Sequence, residues 1–200
     1  ETEGLLPYWL GAWAMQIAPS WLSAEMAVRI PFAALLALTL IATWYGVYYL
    51  ARSPGAQPVA FAFGGEAPPL DYARAIADGA LLALIACLGL AQLSHETTSY
   101  LVQLSCTALL FFAVAAMPHR TVAPAVALVV GLLGLTLAGA PALAAMLGIG
   151  SMALVVLALL CGLVWAAAAQ ANPPLYVCPG PLFTNDLAPA QAKAQGCELA

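Results

Sequence analysis

Apolar residues fill long stretches of this chain almost without interruption, and polar residues gather in the short gaps between them. Hydrocarbon offers the backbone no hydrogen-bond partner, so a segment that crosses it must be a helix of roughly 20 mainly apolar residues. Pro31 to Ala51 fits: it carries no charge, opens on a proline suited to a first helical turn, and stops at Arg52-Ser53-Pro54-Gly55. A second span is expected from about Ala77 to Ser94, bounded by Asp78 and His95. A third follows at once from Thr97 to Met117, bounded by Pro118-His119-Arg120, so the two predict a tight helical hairpin. The uncharged stretch from Thr121 to Ala171 is too long for one helix, and Ala138-Gly139-Ala140-Pro141 is its natural break. Two spans are expected there, the second long enough to tilt or protrude. Small residues four apart, such as Gly134 and Ala138, would let helices approach closely.

The remaining segments are not spans. Residues 1–26 carry Trp9, Trp13 and Trp21 among Leu, Pro and Ala, which suits helices lying in the membrane interface. The loop over 52–76 is rich in Pro and Gly and turns helical at Asp71-Tyr72-Ala73-Arg74, and 172–200 is a polar tail. The expected fold is therefore all-α. It is a polytopic membrane helical bundle of about five transmembrane helices over 27–171, preceded by interfacial N-terminal helices and followed by the tail.

Composition agrees. Hydrophobic residues make up 64% of the chain and charged residues 7%, with a mean hydropathy of +0.95, whereas a soluble domain carries about 25% charged residues. A net charge of -4, from five Lys and Arg against nine Asp and Glu, offers no basic field for a nucleic-acid backbone. The sequence opens at Glu1 with no basic segment leading into a short apolar stretch, so no signal peptide is visible and a segment upstream is expected. Basic residues favour the cytoplasmic side, which places Arg52, Arg74, His119 and Arg120 inside and the N-terminal segment outside, with Arg29 the exception. Five spans then put the tail inside, where a bond between Cys178 and Cys197 is disfavoured; an outside tail would permit it. Cys87, Cys106 and Cys161 lie in apolar runs and read as buried small hydrophobes.

Signatures of soluble enzymes are absent, two histidines far apart make a poor metal site, and no cofactor is implied. Asp71, Arg74 and Asp78 share one helix face, where a solvated ion pair is the simpler reading than a site. His95 and Glu96 fill the outer turn of the hairpin, where an imidazole beside a carboxylate could do acid–base work or simply cap a helix. Glu3, Tyr8 and Trp9 precede Arg29 on the presumed outer surface, a set able to meet a phosphate-bearing lipid headgroup or only to anchor the chain.

Glu3-Gly4-Leu5-Leu6-Pro7-Tyr8-Trp9-Leu10, followed by Ala27-Val28-Arg29-Ile30-Pro31-Phe32 opening a span that ends in aromatics and Arg52, resembles the C-type glycosyltransferases of the aminoarabinose transferase and protein mannosyltransferase group. The resemblance covers roughly residues 1–120. It implies a multi-pass protein of a bacterial inner membrane that takes a sugar from a polyprenyl-phosphate carrier and passes it, on the outer face, to a lipid or protein acceptor. Where the family carries Lys-Pro-Pro, this chain has Glu3-Gly4-Leu5, without the phosphate-contacting lysine. The family's catalytic acid and first span would precede Glu1. Arg74 and Asp78 match in order an Arg-x-x-x-Asp element of the family, but the charge-based topology places them inside, so no catalytic role is carried over. Glu3, Tyr8, Trp9, Arg29, His95 and Glu96 are the candidate substrate-binding residues. The alternative is a noncatalytic membrane scaffold or assembly subunit packed on a membrane protein partner.

Overall fold

The structure, a computed structural model, describes residues 4–58, 67–87, 89–90, 98–171, 176–177, 183–184 and 198–199. Its described residues form α1 (Leu5–Ile17), α2 (Ala24–Ala51), a 3-10 turn (Pro54–Ala56), α3 (Pro69–Ile85), α4 (Ser99–Ala116), α5 (Val122–Leu137) and α6 (Pro141–Ala171). The chain divides into two compact units, 1–151 and 152–200, with the boundary inside α6. In the second unit the tail contains a small antiparallel sheet, with β1 (Tyr176–Val177) between β2 (Phe183–Thr184) and β3 (Glu198–Leu199). This is a departure from the all-α expectation; two-residue strands carry no detectable alternation of apolar and polar positions. Cys178 and Cys197 lie outside the described residues.

Among the described residues, three helices are long and apolar enough to cross a membrane: Ala24–Ala51, Ser99–Ala116 and Pro141–Val164; Val122–Leu137 is apolar but shorter. By length and composition these helices are consistent with a helical membrane bundle, while their boundaries differ from the sequence expectation in two places. First, α2 begins at Ala24 rather than near Pro31, because Ser23 caps it by accepting the Met26 amide at 3.4 Å and Glu25 favours the positive end of the helix dipole. Pro31 sits in the helix interior, and Arg29 lies on the helix rather than ahead of it. Second, the amphipathic segment at Asp71 and the start of the expected span at Ala77 belong to one helix, α3, which Pro69 initiates and which stops at the Ala86 cap. The loop thus ends before Pro69 rather than at residue 76, and the expected span to Ser94 is not one continuous helix.

The break at Ala138-Gly139-Ala140-Pro141 is as expected. Gly139 adopts φ 83, the left-handed region open to glycine. The Ala140 amide bonds the Leu135 carbonyl at 3.0 Å and the Gly139 amide bonds that of Thr136 at 3.3 Å, the Schellman pattern that satisfies the last carbonyls of α5.

Within the first unit, α4 packs against α2 and α5, and α2 also packs against α1 and α3. Thr39 meets Ser105, the Gly46 position meets Phe111, and Tyr49 meets Phe112, so numbering rises along both helices and α2 and α4 run parallel. A chain with two parallel neighbours must return between them, and the segment holding α3 makes that return. Helix α5 runs back along α4, with Gly131 against Leu110 and Gly134 against Cys106.

Close approach depends on these glycines. A Cβ on Gly46 would overlap the Phe111 ring, and one on Gly134 would overlap the Cys106 sulfur. The expected small-residue contact is thus made by Gly134, while Ala138 is buried past the helix end. Of the cysteines expected to be buried, Cys106 is, whereas Cys87, just past the end of α3, and Cys161, on α6, are exposed. Lipid can cover such positions, so burial in protein is not required of them.

At the centre of the α2–α4 contact, the Thr39 and Ser105 hydroxyls lie 2.8 Å apart, and both are fully buried. Thr39 Oγ1 is 2.8 Å from the Leu35 carbonyl, and Ser105 Oγ is 3.0 Å from the same carbonyl and 2.9 Å from that of Leu101. Each hydroxyl has one hydrogen, so the pair satisfies itself only when one donates to the other or both share the carbonyls. Replacing Gly46 by Leu should destabilise the folded chain by about 1–3 kcal/mol through overpacking, read as a lower unfolding midpoint in detergent. Gly79, which has open space around its Cβ position, should tolerate alanine with no loss in the same measurement.

Candidate functional site

Because α2 and α4 are parallel and α5 is antiparallel, the start of α2, the start of α4 and the end of α5 share one end of the first unit. Helix α1 lies across that end, contacting α2, α4 and α5. Gly4, its N-cap, is buried against the Ala138 backbone so closely that a Cβ would overlap it. Ala138 is also held from the other side, since Gln103 Nε2 on α4 donates to its carbonyl at 2.9 Å. The turn between α5 and α6 is therefore clamped between α1 and α4.

Between these elements is an open cavity of about 740 Å³, within the range of small-molecule sites. Its wall from α1 is Gly4, Pro7, Tyr8, Gly11, Ala12 and Met15; α2 contributes Val28 and Phe32. Thr98, Ser99, Tyr100 and Gln103 line it from the start of α4, and Gly139 and Ala140 from the turn. Two sides differ in chemistry: α1 and α2 present mainly apolar surface, while α4 presents hydroxyls and an amide. None of these described lining residues carries an acidic or basic side chain. A shallow depression of about 360 Å³ adjoins it, lined by Met15, Ala24, Glu25, Val28 and Arg29, so Met15 and Val28 belong to both.

The sequence candidates distribute as follows. Tyr8 lines the cavity and is exposed at its mouth. Trp9 does not line it; its ring stacks on Trp13 at 6.5 Å, and both are half exposed on the outer side of α1, as suits the interface. Arg29 lines the adjoining depression beside Glu25 rather than the cavity itself. Glu3, His95 and Glu96 lie outside the described residues. Away from this end, Arg74 pairs with Asp71 at 3.4 Å, both largely exposed. Asp78 instead accepts from Trp44 Nε1 on α2 at 2.7 Å, so the three-residue face expected from spacing splits between an ion pair and a contact to a neighbouring helix.

Gln103, Phe32 and Tyr100 were not among the sequence candidates. Gln103 had a signal, as an amide within the otherwise apolar run Thr97 to Met117, since such a group in hydrocarbon needs a partner. Phe32 and Tyr100 had none, because aromatics at helical spacing occur throughout the spans. No protein-family model, curated protein or solved structure matches the chain.

Gln103→Leu keeps the volume and removes the donor to Ala138. The expected result is faster hydrogen exchange at the amides of 138–140, with a stability loss of about 0.5–2 kcal/mol. Unchanged exchange there would show that Gly4 alone holds the turn.

Proposed function

We propose that this chain is the membrane-embedded, carrier-binding part of a glycosyltransferase of a bacterial inner membrane, taking its sugar from a polyprenyl-phosphate lipid. One observation supports the reading. The two stretches that carry the resemblance, Leu6 to Trp9 and Ala27 to Pro31, lie on different helices, yet they meet at one cavity: Tyr8 and Val28 both line it, and Arg29 lines the depression that continues it.

The chemistry follows from the lining. An isoprenoid chain is apolar and suits the wall of Pro7, Ala12, Met15, Val28 and Phe32; its phosphate is anionic and suits the guanidinium of Arg29 at the rim. Trp9 and Trp13 hold α1 at the headgroup level. Transfer itself needs a base, such as an ionised carboxylate, to take the acceptor's proton and cations to steady the departing phosphate. In this reading Arg29 is such a cation, and Glu3, His95 and Glu96, which lie outside the described residues, are the further polar candidates.

A second reading has an observation of its own. The described cavity lining contains no ionisable acid or base apart from the tyrosines, which fits a noncatalytic scaffold that holds a lipid or a partner without chemistry.

Binding of undecaprenyl phosphate to the full chain in nanodiscs tests the proposal. Arg29→Ala should weaken binding about ten-fold or more, the effect of one charge-assisted contact, while leaving the unfolding midpoint unchanged. Ala12→Trp should block binding by filling the cavity. Absence of binding by the wild-type chain would remove the transferase reading and leave the scaffold.

A further inference from the structure

The end of the first unit opposite the cavity holds a second arrangement, independent of the proposed carrier site. The C-terminal end of α2 carries Trp44, Tyr45, Tyr48 and Tyr49 in mutual ring contact, with centroids 4.9 to 6.5 Å apart. The Arg52 guanidinium stands over Tyr48 at 5.5 Å, and the His119 ring, past the end of α4, lies 5.2 Å from Tyr49. Arg120 is adjacent and exposed. Two helices distant in sequence thus bring Arg52 and His119 to one aromatic shelf, with Arg120 the residue after His119.

Among the described residues no carboxylate pairs with Arg52 or Arg120: Asp71 is paired with Arg74, Asp78 accepts from Trp44 of the same ring cluster, and Glu25 lies at the opposite end of α2. Arg52 is the C-cap of α2, where a cation also favours the negative end of the helix dipole, and its guanidinium lies over the Tyr48 ring. Depth agrees as well: Arg29 to Tyr48 along α2 is about 28 Å, close to the ~30 Å thickness of the hydrocarbon core. That spacing puts the shelf at a headgroup layer when Arg29 is at the other.

We infer that Arg52, over the Tyr48 ring, and Arg120, next to the His119 that meets Tyr49, bind the anionic headgroups of the bilayer leaflet at this end of the bundle. The partner is a lipid surface: phosphodiester oxygens accept from the guanidinium groups, and glycerol and upper acyl segments lie against the rings.

The test is native mass spectrometry of the full chain released from nanodiscs of equal phosphatidylglycerol and phosphatidylcholine. The wild-type chain should retain phosphatidylglycerol preferentially. Arg52→Gln and Arg120→Gln should each reduce that preference about five-fold, whereas Arg52→Lys and Arg120→Lys should keep most of it. An unchanged preference in the double glutamine variant would overturn the inference. So would equal loss of both lipids, or displacement of the lipid by soluble glycerol phosphate, which would mark a small-anion site instead.

Discussion

The parallel packing of α2 on α4 organises the first unit. It is centred on the buried Thr39–Ser105 contact and made close by Gly46 beneath Phe111. Since the two helices point the same way, their starts share one end of the bundle and their finishes the other. Helix α5, returning along α4, then brings the Ala138–Gly139 turn to the end where α1 lies. The cavity and the basic aromatic shelf are consequences of that one packing choice, at opposite ends of the same pair of helices.

The packing uses small groups because lipid alters the energetics. Hydrocarbon solvates leucine as well as a protein interior does, so helices associate through close contact and buried polar pairs rather than by hiding apolar surface. The buried positions reflect this, being mostly alanine: Ala27, Ala42, Ala73, Ala77, Ala113 and Ala116 are examples. Large apolar side chains point outward, as with Leu133, Met146, Ile149 and Leu163. Within the first unit the α6 residues Met146 and Ile149 are exposed, as suits positions that lipid can cover.

The two ends of the bundle have different chemistry, and the proposals follow that division. Around the cavity the lining is neutral, with the cation Arg29 and the carboxylate Glu25 at its edge. At the other end Arg52 stands over the Tyr48 ring and His119 lies against Tyr49, with exposed Arg120 next to it. An amphiphile with one anionic group suits the first, and a whole anionic leaflet suits the second. Charge alone grouped Arg52, Arg74, His119 and Arg120 on one side; the ring contact between Tyr49 and His119 brings the end of α2 and the residues past α4 together in space.

The sequence by itself determined that the chain is a helical membrane protein, where α2 stops, where α4 lies, and that the uncharged stretch breaks at Gly139. Those features are local: the length of apolar runs, a charged stop, and a glycine able to take positive φ each act within a few residues. Tertiary structure decided the rest. Whether Asp78 pairs with Arg74 or with Trp44 depends on which helix lies alongside, and spacing on one helix does not contain that information. The joining of Tyr8, Val28 and Gln103 at one cavity required helices separated by up to ninety-five positions to meet. In lipid that meeting depends on the shape of small-residue faces, which an almost uniform run of Ala, Leu and Gly does not distinguish by pattern.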